Sequence, residues 1–98
     1  MPPIAFNSLA GDLVATWKSS VVGEVGPARI KVLRMDGQPY GEKTDDYNEA
    51  LMVISGELRL PVDGNTINVR SGQMYLAEAG VAHAVFPGST GTLAIIDI

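Results

Sequence analysis

Turn pairs cut this chain into short lengths. Asp-Gly stands at 36–37 and again at 63–64, Ser-Gly at 55–56 and 71–72, and Pro-Gly at 87–88. The apolar runs between them, such as ALMVI at 50–54 and LAIIDI at 93–98, are strand-sized, and no window carries a long helical stripe. The spacing predicts strands over 13–22, 28–35, 40–44, 48–54, 57–62, 66–70, 73–77, 81–86 and 91–97. In VDGNTINV, Asp63 and Gly64 tolerate the positive φ of a tight hairpin. Gly56 in ISGEL reads as the permissive residue of a second hairpin.

Strands without a helical layer pack as a sandwich or jelly roll, with side chains alternating between inside and outside. Over 49–54, Glu49, Leu51 and Val53 share one face, while Ala50, Met52 and Ile54 share the other. Both faces are largely apolar. This strand is therefore central, with one face in the barrel and the other against a further sheet or subunit. Glu49 points the same way as Leu51 and Val53. In 81–86, Val81, His83 and Val85 share a face. Met35, Met52 and Met74 read as core filler, Trp17 as strand packing, and Arg29, Lys31 and Arg34 as the outer face and edge of one strand.

A chain of 98 residues with 46% hydrophobic residues suits one domain over 1–98. The absence of cysteine removes disulfides and thiolate metal sites, so packing must stabilise the fold. A net charge of −4, with the basic residues scattered, argues against a nucleic-acid partner. The opening MPPIAFNSLAG has no basic, apolar signal-peptide pattern, and no apolar run reaches membrane-spanning length. A cytoplasmic location and no membrane partner are expected. Pro2 and Pro3 predict an extended N-terminal arm over 1–12.

Two segments resemble the two halves of the cupin signature. In that family the first half runs histidine, one residue, histidine, three or four residues, glutamate, six residues, glycine. Here Glu49 and Gly56 keep the six-residue spacing. The second half runs glycine, five residues, proline, one residue, glycine, two residues, histidine, then asparagine after three more. Gly72, Gly80 and His83 match it, with Glu78 in place of the proline and Pro87 in place of the asparagine. The resemblance covers about residues 28–97 and implies an all-β, cupin-like jelly-roll barrel. It also implies a homodimer, with the arm crossing to the other subunit, which the apolar outer face of 49–54 supports.

The resemblance implies a three-histidine, one-glutamate metal set, yet neither first-half histidine is present. Counting back from Glu49, the two positions hold Glu42 and Thr44 in one register, and Lys43 and Asp45 in the other. Glu49 and His83 remain as candidate catalytic residues, a carboxylate that orients an imidazole or receives its proton. The leading reading is a non-catalytic barrel that needs no cofactor. Glu42, Thr44, Glu49, His83, Tyr40, Tyr47 and Tyr75 are its candidate contacts to a small polar ligand. An alternative is a divalent-metal enzyme, isomerase or dioxygenase-like, with Glu42, Glu49 and His83 as ligands. Another is a metal-free epimerase or isomerase with His83 as base and Tyr75 or Tyr47 as the nearest phenol. The last is a purely structural barrel. Asp45 and Asp46 would join a site only if TDDYN curled inward; that segment reads as a solvated turn.

Overall fold

The structure, a computed structural model, describes residues 2–98 apart from the side chains of Glu42 and Lys43. Its elements are α1 (Phe6–Asp12), β1 (Ser20–Val25), β2 (Ala28–Asp36), β3 (Tyr40–Lys43), β4 (Glu49–Val62), β5 (Asn65–Arg70), β6 (Met74–Ala77), β7 (His83–Val85) and β8 (Thr90–Asp97). The larger sheet runs β1-β2-β8-β4-β5, with β6 also paired to β4, and β3 pairs with β7 in a second sheet. These antiparallel pairings give the all-β jelly roll that the turn spacing and the signature residues predict.

Register decides what each face carries. Leu33 pairs with Leu93, Val53 with Leu93 on its other side, and Leu51 with Ile95. Lys31, Leu33 and Met35, then Leu93, Ile95 and Asp97, then Glu49, Leu51 and Val53 therefore line one side of the sheet. The apolar members join Leu58, Leu60, Val69 and Ala77 in the core. Val53, Leu58 and Leu60 are essentially fully buried, each contributing about 1.5–3 kcal/mol.

The Asp63-Gly64 hairpin forms as predicted. Val62 pairs with Asn65, and the two loop residues have φ of 49° and 78°. Ser55-Gly56 does not reverse the chain. β4 runs through it as a single 14-residue strand, where the sequence reading places two strands and a hairpin. Gly56 (φ +83°) lies opposite Gly91 (φ +103°), and a Cβ on either would overlap the carbonyl of Thr90 or Ser55 respectively. The glycines permit two backbones to touch, and the register slips between Val53 and Ser55. Beyond that point β4 pairs with β5, and Phe86 N–H donates to the Arg59 carbonyl at 2.9 Å. Both halves of β4 feed the core, Leu51 and Val53 from the first and Leu58 and Leu60 from the second.

The N-terminal segment also differs from expectation. Residues 6–12 are helical rather than an extended arm, and 13–22 is a strand only from Ser20. A seven-residue helix is marginal alone and needs tertiary anchors. Arg34 supplies them, donating to the carbonyls of Ala10 at 2.6 Å and Leu13 at 3.0 Å. Ser55 Oγ donates to Asn7 Oδ1 at 2.9 Å, and Ala10 is buried. Arg34 is therefore a helix anchor rather than a free surface charge. Met74, expected in the core, is half exposed on the outer face.

Gly56→Ala combines a positive φ with a backbone clash and is expected to cost roughly 3 kcal/mol or more in urea denaturation. Gly64→Ala has φ +78° with open space around it and should cost only about 1–2 kcal/mol. Equal losses would contradict the close crossing of β4 and β8.

Candidate functional site

Between the two sheets lies a cavity of about 140 Å³. Its floor is Leu33, Leu51, Leu58, Leu93 and Ile95, supplied by β2, β4 and β8. Lys31, Glu49, His83 and Asp97 interrupt this apolar lining. Glu49 arrives there because it shares a face with Leu51 and Val53. His83 opens β7, opposite the sheet, with its backbone in register with Lys43.

His83 Nε2 lies 3.6 Å from Glu49 Oε1, too long for a hydrogen bond but close enough for charge attraction when the ring is protonated. The side chains are only 12% and 5% exposed. Both ring nitrogens of His83 are buried and without a hydrogen-bond partner among the described residues. A donor or acceptor left in this state costs about 1–3 kcal/mol, so this histidine is not a satisfied core residue.

Asp45 completes the cluster. One ligand atom from each of Asp45, Glu49 and His83 lies within 4.8 Å of the others. The TDDYN loop therefore does curl inward at Asp45, while Asp46 stays exposed. Asp45 holds the second-histidine position in the register that counts back three residues from Glu49.

The remaining predicted contacts separate. Tyr40 lines the cavity. Tyr47 is exposed and stands on an outer depression with Asp45, Asp46, Glu49 and Asp97. Tyr75 packs against the core and flanks His83 on the side away from the main cavity. Thr44 is exposed and outside the lining, and the side chain of Glu42 lies outside the described residues. Lys31 turns inward, correcting its placement on an outer face, and donates to Asp97 Oδ2 at 3.0 Å. Alternation could have found both: Lys31 shares its face with Leu33 and Met35, and Asp97 with Leu93 and Ile95.

At the mouth stand Trp17 and Tyr40, their rings stacked 5.3 Å apart at 28°. Trp17 is not in a strand. It sits in a turn at φ 61°, an uncommon conformation for a bulky residue. Its backbone N–H donates to the Arg34 carbonyl at 2.9 Å and its indole N–H to Asp36 Oδ1 at 2.6 Å.

Residues 33–98 match the Cupin_2 family of cupin domains. The fold is similar to that of a cupin-2 domain containing protein from Shewanella frigidimarina, with TM-score 0.87 and 22% identity over 96% of this chain and 92% of that one. A Neisseria meningitidis protein is similar with TM-score 0.83 and 18% identity, covering 99% of each chain. A cupin superfamily protein from Desulfitobacterium hafniense aligns with TM-score 0.78 and 16% identity over 99% of this chain and 90% of that one. No curated protein matches the sequence significantly.

The mouth should respond to acid in one direction. Donation from Thr16 Oγ1 (2.7 Å), from the Gln38 backbone N–H (3.0 Å) and from the Trp17 indole holds the Asp36 carboxyl below its usual 3.8. A lowered pKa adds stability that is present above the unfolded value and lost as pH falls through the folded one. Wild type should therefore be more stable than Asp36→Asn near neutrality. That gap should shrink as the pH drops below 3.8, with a parallel change in Trp17 fluorescence. A gap independent of pH would show that the carboxylate charge does not hold Trp17.

Proposed function

This chain belongs to the cupin family, and from that premise we propose that its barrel binds a small polar molecule at His83 and Glu49. The observation that supports this most is the pair of buried, unpartnered imidazole nitrogens on the wall of a cavity with an apolar floor. The arrangement resembles ligand pockets generally: apolar walls for affinity and a few convergent polar groups for orientation. A neutral imidazole offers one donor and one acceptor, so it can engage a hydroxyl, an amine or a carbonyl. If the site is catalytic, His83 is the group able to take or give a proton near neutral pH, and Glu49 is placed to orient or stabilise it.

A second reading follows from the Asp45, Glu49 and His83 cluster, which could hold a divalent cation. Two carboxylates and one imidazole suit an ion that prefers oxygen ligands, and three protein ligands leave positions open to a substrate. Such an ion would supply Lewis-acid polarisation. This set shares Glu49 and His83 with the Glu42, Glu49 and His83 set that the sequence reading considers; the Glu42 side chain lies outside the described residues.

We also propose a homodimer. Met52 pairs with Met74 and Ala50 with Leu76, which puts all four side chains on the outer face of the sheet. Met74 and Leu76 are 50% and 51% exposed there. Among the described residues, no helix is long and apolar enough to cross a membrane.

Three outcomes are expected. His83→Leu removes an unsatisfied polar ring, so urea denaturation should show stability unchanged or raised, whereas a structural histidine would lose about 1 kcal/mol or more. Protein purified without chelator or nickel resin should contain near-stoichiometric divalent metal that Asp45→Asn and His83→Ala both remove, if the cation reading is correct. Metal absent from the wild type would leave the polar-ligand reading alone. Leu76→Glu should convert a dimer to a monomer in light scattering, and a wild-type monomer would refute the dimer.

A further inference from the structure

The charge of the ligand can be read from the cavity wall, given the polar-ligand reading above, on which this step rests. The lining holds two carboxylates, Glu49 and Asp97, against one ammonium, Lys31, beside the imidazole of His83. Asp45 adds a third carboxylate within 4.8 Å of the Glu49 and His83 donor atoms. Lys31 bonds Asp97 Oδ2, and both side chains are mostly buried. The other oxygen, Asp97 Oδ1, is buried with no hydrogen-bond partner among the described residues. A bare carboxylate oxygen only accepts, and a neutral imidazole accepts at one nitrogen and donates at the other. Of the three orphan atoms on this wall, two therefore ask for donors.

An anionic ligand would add negative charge where carboxylates already outnumber the ammonium, in a space too apolar to screen it. A protonated amine brings the opposite sign and three N–H donors. The aromatic mouth of Trp17 and Tyr40 likewise favours a cation over an anion through the quadrupoles of the rings. The volume suits a body of about six heavy atoms, since a comparable 150 Å³ cavity accepts benzene.

We infer that the cavity selects a small primary amine, its ammonium donating to Asp97 Oδ1 and to the acceptor nitrogen of His83. The aliphatic body lies against Leu33, Leu51, Leu93 and Ile95. Asp97 sets the sign of the ligand, and Lys31 holds Asp97 in position.

The test uses n-butylamine, butyrate and 1-butanol as probes of matched size and different charge, in metal-free buffer at neutral pH. Trp17, the only tryptophan, reports at the mouth by fluorescence, and amide chemical shifts report on the wall. The protein is compared with Asp97→Asn, with the charge-conserving pair Lys31→Gln/Asp97→Asn, and with His83→Leu. The pair matters because Asp97→Asn alone leaves Lys31 unpaired and could unfold. Butylamine should bind at least about tenfold more tightly than butyrate or butanol, and should weaken by about tenfold in both Asp97 variants, the loss of one charge-assisted hydrogen bond. Butyrate or butanol binding as well as butylamine, or butylamine binding untouched in the paired variant, overturns the inference. If that binding is still lost in His83→Leu, the polar-ligand reading survives. No shift at cavity residues with any probe defeats both.

Discussion

The contact on which the rest depends is the one between the backbones of Gly56 and Gly91. At that crossing no side chain fits on either strand; β4 keeps β8 on one edge as far as Glu57, while its other edge passes from β6 to β5. One strand thereby serves the cavity twice. Its first half carries Glu49 and Leu51 into the lining, and its second half carries Leu58. A side chain at either position would force the two backbones apart. The glycine kept at family spacing thus permits the close approach of β4 and β8, as glycine commonly does in a β structure.

The same glycine shows how far the sequence could be read. Period-two alternation placed Glu49 with Leu51 and Val53 correctly, because that rule depends only on backbone geometry. The Asp63-Gly64 turn was legible for the same reason. Gly56 was misread because a glycine at positive φ looks identical in sequence whether it closes a hairpin or allows a neighbouring strand to pass. α1 was missed because its anchor, Arg34, lies more than twenty residues away. Asp45 was set aside because a polar loop reads as solvated until tertiary contacts draw it in. Lys31 and Asp97 were legible but unread: the rule that placed Glu49 puts both on the cavity side, and charge argued for an outer face.

The ionisable groups of the cavity work against stability. An imidazole with two orphan nitrogens and a carboxylate with one orphan oxygen are each costly beside Leu33, Leu51 and Ile95. A barrel shaped only for stability would fill these positions with aliphatic side chains at little cost in volume. Polar groups buried in unsatisfied positions are where function and folding conflict. That conflict is confined to one end of the cavity, while the core around Val53, Leu58, Leu60 and Val69 stays uniformly apolar.

The anchoring of Trp17 also separates two properties that a pocket usually ties together. The indole N–H is held by Asp36, an exposed residue that takes no part in the cavity floor, and the Trp17 backbone N–H by the Arg34 carbonyl. A change at Asp36 removes the indole's acceptor while Leu51, Ile95 and the charged end keep their own contacts. On the binding function proposed above, the rim held by Asp36 and the charged end are two separate places at which the cavity can be altered. Substitutions at Asp36 would then reach the cavity through Trp17, without touching Asp97 or His83.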